Sequence, residues 1–408
     1  MLQRILLLVG LVGTTPSPAS AQAGCTDPLA ENYEPTATQN DGSCTYPLTN
    51  YQAARRANLP ADLEECSGLL WLDGQLWGHN DSGNPAILYQ LDTLDASIRR
   101  RVVLANANNV DWEDLSANQD FVFIGDFGNN DGSRRDLRIY RFPRTDLALD
   151  TIRELDTIAF SYGDQSDFEP ANLNTPYDCE AFFATADSLH LFSKDWVRQI
   201  TRHYVLPNQT GVHVAQLRDS LDVRTLVTAA DRAPDGTIAL LGYEGLEGVL
   251  WLLFDYPAGQ PFAGHKRRIE LGSLLELGQA EALVFREAGV GFLASERLFG
   301  FPIGPQLFSF RSAQWTRAAL NPLSSPAPEL FDPQVYPNPV GGNHFRLRQI
   351  RPERALDLAL YDQWGRRLWR AEQRSAEVSL AGIEWRPGQY WLRVRQGRLE
   401  KWISVGRF

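Results

Sequence analysis

The 408-residue chain is 43% hydrophobic and 22% charged, which is ordinary globular composition and excludes wholesale disorder. A net charge of −11 at pH 7 excludes a general nucleic-acid binder, which needs a basic face. The charge is uneven: residues 331–408 hold 14 Lys+Arg and 8 Asp+Glu, a net of +6, which leaves −17 on residues 1–330 and predicts two units with different tasks.

The N-terminus predicts a secretory signal over residues 1–21. Arg4 is the positive region, Ile5 to Gly13 the apolar run, and Ala19-Ser20-Ala21 the small-residue cleavage site. The apolar run is too short to span a bilayer, and no later segment is long enough either. Export makes disulfides permissible. In residues 22–48, Cys25 and Cys44 bracket a polar stretch with almost no core formers, where a bridge would compensate for the missing core. This stretch, GCTDPLAENYEPTATQNDGSCTY, resembles the GCTDPxAxNYxPxAxxxDGSC repeats of secreted Bacteroidetes proteins, themselves similar to calcium-binding thrombospondin type 3 repeats. The resemblance implies Asp27, Asn32 and Asp41 as oxygen donors for Ca²⁺. A disulfide-closed spacer without metal is the alternative.

Residues 49–318 contain a quasi-repeat. LWGHND, FIGDFG, LFSKDW, LLGYEG and LASERL each end an apolar run in a small residue: Gly78, Gly125, Ser193, Gly242 and Ser295. Their spacings are 47, 68, 49 and 53. Each has a strand pattern upstream and one or two downstream, joined by polar turns. Four antiparallel strands per roughly 50 residues is one propeller blade. The last copy lacks a fourth strand, and NYQAARRANL before the first copy supplies one, closing the ring. The count is five blades, with six as the alternative because the second interval is long.

The first and second strands of a blade are antiparallel, so the start of the first meets the end of the second on one face. Strand starts carry Glu65, Glu113, Glu180, Ala229 and Glu281. Residues after the small strand-ending positions are His79, Asp126, Lys194, Tyr243 and Glu296. Two polar rings around the central channel are expected. Carboxylates crowded there repel unless protonation, a basic partner or a cation compensates. Lys194, Arg232 and Arg297 are basic candidates. Glu113, Asp126, Glu180 and Glu281 are the oxygen ligands that Ca²⁺ would take. Trp112 and Trp196 adjoin the rim, where they would stack on a sugar or another flat ligand. The architectural alternative has the glutamates bonding backbone N–H groups of neighbouring blades. Cys66 and Cys179 start first strands and read as separate buried thiols, with a cross-channel bridge as the alternative.

Other templates are missing. None of the six histidines forms HExxH, and neither a GxSxG elbow nor a P-loop occurs. The blocks ECSGL, HNDSGN, DWED, GDFGNN and DCEA resemble propeller domains of secreted Bacteroidetes proteins, and more faintly phytase-like and lactonase-type propellers. The phytase-like resemblance implies a calcium-loaded acidic channel acting on phosphate esters, with Glu113, Glu180 and Glu281 on the cation and His79 or Lys194 assisting.

NPLSSPAPELFDP marks a linker at 319–333. Residues 334–408 alternate with period two between Gly and Pro turns, which predicts a small β-sandwich. Their YPNP start, the DQWGR turn at Asp362 to Arg366, the GQYWL step at Gly388 to Leu392 and Lys401 resemble the type IX secretion C-terminal sorting domain. That resemblance implies passage through the outer membrane of a Gram-negative bacterium, recognition by the type IX machinery, and attachment to surface lipopolysaccharide after processing. The expectation is an all-β chain: a five-bladed propeller, then a sandwich, secreted or displayed at the cell surface. It binds a small ligand or glycan at an acidic channel face. A calcium-dependent hydrolase of phosphate esters or lactones, or a purely structural surface protein, are the alternatives.

Overall fold

A computed structural model describes residues 21–298, 303–316, 333–348, 355–364, 366–373, 375–383, 385–396 and 399–408. The predicted signal at 1–21 and the linker at 319–333 lie outside these residues, apart from Ala21 and Pro333. The chain divides into two compact units, Met1–Asn321 and Pro322–Phe408.

The first unit is a β-propeller of five four-stranded blades. Blade one is Cys66–Leu72, Gln75–Asn80, Ile87–Leu91 and Ile98–Leu104. Blade two is Trp112–Ala117, Phe121–Asp126, Arg138–Pro143 and Asp156–Tyr162. Blade three is Asp178–Ala184, Ser188–Lys194, Ile200–Pro207 and Gly211–Asp222. Blade four is Leu226–Arg232, Ile238–Glu244, Glu247–Phe254 and His265–Ser273. Blade five is Gln279–Glu287, Val290–Glu296 and Gln306–Arg311, completed by Ala54–Asn58 from the N-terminal side. The ring therefore closes by pairing the two ends of the propeller, and each first strand lies against the first strand of the next blade. The long second interval holds no sixth blade. A loop over 163–177 fills it and brings Asn172 and Leu173 to the channel mouth.

Period-two alternation explains the packing. Leu69 faces the core shared with blade five, while Leu70 faces the core shared with blade two. Phe182 and Phe183 divide in the same way between the two neighbours of blade three. Five apolar cores thus separate five blades. The outer strands of blades two and three also pair in parallel, Ile158 opposite Gly211, which merges them into one eight-stranded sheet. The sequence pattern carries no sign of that pairing.

The Cys25–Cys44 disulfide closes the N-terminal loop, which docks on the outer strand of blade four. Thr26 Oγ1 lies 3.3 Å from His265 Nε2, and Arg267 stands over the Tyr46 ring at 5.0 Å. The calcium donors expected here do other work. Asp27 accepts from Leu29 N and Tyr46 OH, Asn32 bonds Ser43 O and Thr45 N, and Asp41 accepts from Ser43 N. These oxygens close the turns of the loop.

The second unit is a sandwich of a three-stranded and a four-stranded sheet over a core that includes Val335, Phe345, Leu358, Leu392 and Val405. Asp362 closes the predicted turn by accepting from the backbone N–H groups of Trp364 and Arg366. Among the described residues no helix is long and apolar enough to cross a membrane.

Candidate functional site

Every first strand carries a bulge near its start. The interruptions fall between Cys66 and Gly68, Trp112 and Leu115, Cys179 and Ala181, Val227 and Ala229, and Ala280 and Ala282. A bulge adds an unpaired residue and re-aims its side chain. The residues in these gaps are Ser67, Glu113 with Asp114, Glu180, Thr228 and Glu281. Ser67, Glu113, Glu180 and Glu281 line one cavity of about 330 Å³. Glu65 and Ala229 therefore give way to Ser67 and Thr228, because a bulge moves the inward position in a way simple counting misses. Glu65 is exposed outside the cavity and accepts from Asn84 Nδ2 at 2.6 Å.

The second ring shifts for a similar reason. Asp178 is opposite Lys194, Leu226 opposite Tyr243 and Gln279 opposite Glu296, and all three second-strand residues line the cavity. In blade one the equivalent position is Asp81, whose N–H donates to Glu65 O. His79 lies two residues deeper. It is fully buried, with Nδ1 2.8 Å from Asn80 O and its ring against Trp112 at 5.4 Å. Burial pulls its pKa down to about 4, so it is neutral. Asp126 is also buried, held by Arg134 at 3.0 Å and Arg138 at 3.7 Å, away from the cavity. The Phe127 ring folds back over Gly125, where a Cβ would come within 2.1 Å of it. Trp112 is fully buried and donates to Asn108 O, so it has no face for a ligand. Trp196 does line the cavity. Arg297 is exposed beside Glu64, and Arg232 is exposed beside Tyr256, both outside it.

The architectural role belongs to other residues. Asp114, fully buried below Glu113, accepts from Phe182 N at 3.2 Å and from Ala230 N at 3.3 Å, tying blade two to blades three and four. Ser116 accepts from Ala184 N, and Asp231 from Phe285 N. Ser67 and Thr228 donate to the Glu113 and Ala280 carbonyls of adjoining blades. These bonds satisfy inner-strand backbone groups that would otherwise be buried unpaired. Cys66 and Cys179 are separate buried thiols, and burial pushes the Cys66 thiol up to about 12.

Three carboxyls converge: Asp81, Asp111 and Glu113 have ligand oxygens within 4.8 Å of one another, and Asp81 and Glu113 line the cavity. Glu113 is 4% exposed, and its Oε1 has no hydrogen-bond donor among the described residues. Gly128 permits this approach, since a Cβ there would fall 2.0 Å from Glu113 Oε1 and 2.4 Å from Asp111 Oδ2. Arg134 holds the surrounding loop by donating to Gly128 O and Asp126. Burial and then like charges push Asp81 up to about 7 and Asp111 up to about 6. Neither Asp81 nor Asp111 was legible as a site residue, although the HNDSGN and DWED blocks contained them.

In the same cavity, Lys194 Nζ donates to both oxygens of Glu180 at 2.6 Å and stands 4.6 Å from the Trp196 ring. Burial works against its charge, but Glu180, Glu281 and Tyr243 outweigh it and raise the ammonium well above its ordinary range. Glu281 accepts from Gln279 Nε2 at 2.6 Å. Burial, then Glu281 and Asp81, push Glu296 up to about 9. Five carboxyl groups thus line the cavity with one lysine. Such a mouth attracts cations and hydroxyl or amine donors, and it repels anions.

No protein-family model matches the chain, and no curated protein does. Among solved structures, it is similar to PorZ, a surface component of the type IX secretion system of Porphyromonas gingivalis, with 15% identity over 91% of this chain and 48% of PorZ and a TM-score of 0.32. The chain thus spans about half of PorZ. It is also similar to a PQQ-bound aldose sugar dehydrogenase from Streptomyces coelicolor, with 10% identity over 64% of this chain and 97% of that one and a TM-score of 0.38. The calcium-binding protein regucalcin from Agrobacterium tumefaciens aligns with 13% identity over 65% of this chain and 95% of its own, with a TM-score of 0.36.

Proposed function

We propose that this protein is a cell-surface propeller that binds a cation, Ca²⁺ in the first instance, at the acidic mouth of its channel and through it a small ligand or glycan. The observation that carries this reading is the convergence of Asp81, Asp111 and Glu113, with Glu113 only 4% exposed, at the cavity, and its Oε1 lacking a donor among the described residues. Hard carboxylate oxygens suit Ca²⁺. Glu180 and Glu281, expected as ligands, engage Lys194 and Gln279 instead. Calorimetric titration of the full chain with CaCl₂ tests this. Saturable binding that is lost in Glu113→Gln supports the reading, and no heat in the native protein ends it.

Export is part of the same proposal. Residues 1–21 act as the signal, and 334–408, through the resemblance to the type IX sorting domain, deliver the propeller to the surface for attachment to lipopolysaccharide. Deleting 334–408 should trap a folded propeller in the periplasm. Surface display without those residues would refute the route. A calcium-dependent hydrolase of phosphate esters or lactones is the second reading. It is favoured by Glu296, whose carboxyl keeps its proton at neutral pH and can serve as an acid beside the cation. Hydrolysis of a phosphoester or lactone panel, lost in Glu296→Gln, would establish it.

A further inference from the structure

The cavity is larger than a metal ion requires. Its volume of about 330 Å³ compares with about 30 Å³ per water, room for roughly ten. A cation on Asp81, Asp111 and Glu113 uses only part of it. The cavity is also lined by Glu281, Glu296, Gln279, Trp196 and Tyr243.

The protein itself shows what such a lining accommodates. The primary ammonium of Lys194 lies 4.6 Å from the Trp196 ring centre and 5.5 Å from that of Tyr243, with carboxylate oxygens at 2.6 Å. Aromatic faces and carboxylates together are the usual surroundings of a bound organic cation. Glu180 matches the Lys194 charge, so the pair leaves its neighbours uncompensated. Glu296 has no hydrogen-bond donor among the described residues and faces the cavity.

We propose that this lining binds the primary ammonium group of an organic ligand, an alkylamine or lysine-type side chain, between Glu281 and Glu296 and against Trp196 and Tyr243. A compact ammonium with three donors suits separate acceptors on Glu281, Glu296 and the Gln279 amide, whereas a planar guanidinium prefers a bidentate carboxylate. A quaternary ammonium has no N–H to offer them. The displaced proton follows: Glu296 is raised to about 9, so binding of an ammonium beside it near pH 7 releases its proton.

This inference rests on the mouth being a cation site, and the experiment separates the two. The full chain, saturated with Ca²⁺, is titrated with 1,4-diaminobutane in two buffers of different ionisation enthalpy, with tryptophan fluorescence as a second readout. The expected result is saturable binding with proton release and a fluorescence change. Glu296→Gln, which breaks no hydrogen bond among the described residues, should weaken the amine by about tenfold or more, and by a larger factor than it changes Ca²⁺ affinity. Tetramethylammonium should bind at least about tenfold more weakly than the diamine. Calcium binding without diamine binding overturns the inference and leaves the cation site standing. Diamine binding unaffected by Glu296→Gln, or equalled by tetramethylammonium, overturns it as well. Failure of both cations to bind removes the mouth reading and this inference together.

Discussion

Lys194 donates to both carboxylate oxygens of Glu180 at 2.6 Å, and the two side chains are only 4% and 6% exposed. Removing one partner of a buried pair leaves an uncompensated charge, which costs about 3–5 kcal/mol, whereas replacing both is nearly neutral. Lys194→Met should therefore lower the unfolding free energy by about 3–5 kcal/mol. Lys194→Met with Glu180→Gln should recover most of that loss. Urea unfolding of both variants checks this, and additive losses would show that the pair is not coupled.

Asp114 holds three inner strands through one carboxyl group. Asp114→Ala orphans the N–H groups of Phe182 and Ala230, both inside the ring. At about 1–3 kcal/mol per buried unpaired group, the loss should reach roughly 2–6 kcal/mol, and Asp114→Asn should cost less because its amide oxygen still accepts. Thermal unfolding compares the two, and equal losses would argue against the hydrogen-bond account.

Stability should depend on pH between about 6.5 and 9 in the absence of divalent cations. Asp81 and Glu296 have folded pKa values of about 7 and about 9, above their unfolded values. In this window the folded state binds more protons than the unfolded state, so stability falls as pH rises. Histidines act below it: His79, His190 and His203, lowered to about 4, 4 and 3, destabilise the fold as pH drops under 6.5. Added Ca²⁺ favours the ionised carboxyls and should flatten the alkaline fall. Melting temperatures at pH 6.5, 7.5 and 8.5 with chelator and with Ca²⁺ read this directly, and identical profiles would contradict it.

Gly128→Ala should impair cation binding more than folding. Its Cβ would collide with Glu113 Oε1 and Asp111 Oδ2, so both carboxyls must turn away from the shared point. The expected loss of Ca²⁺ affinity is about tenfold or more, with the propeller melt within a few degrees of native. Unchanged affinity would mean that Asp111 and Glu113 do not hold the ion.

The N-terminal loop should melt on its own when its bridge is removed. It has few core formers beyond Cys25, and its bridge closes a span of 19 residues. Cys25→Ser should cost the loop about 3 kcal/mol, seen as fast amide exchange over residues 22–48 with blade four still protected. Protection of the loop without the bridge would show that docking on His265 and Arg267 suffices.

The propeller was legible because burial repeats. Leu69 and Leu70, or Phe182 and Phe183, alternate between two cores, and a period-two pattern recurring every 50 residues or so permits few other architectures. The pairing of Ala54–Asn58 with Gln306–Arg311 was also legible, since one blade lacked a strand and the chain had one spare. Glu113, Glu180, Glu281, Lys194, Trp196 and Glu296 were placed at the mouth by the same counting.

Counting failed wherever the backbone departed from strict alternation. The bulge in blade one hands the channel position to Ser67 rather than Glu65, and the extra residue in blade two buries Asp114 beneath Glu113. Asp81 and Asp111 sit in loops, where no period applies, and bonds such as those from Asn109 to Asn80 O and Asp81 O fix one loop against the other. The sequence by itself thus determined the all-β class, the five-fold repeat, the closing strand, the disulfide and the acidity of the channel face, because each follows from local pattern or composition. Only the tertiary structure decided which carboxyls meet and which bond the backbone, because bulges and loop contacts between residues far apart in the chain set those distances.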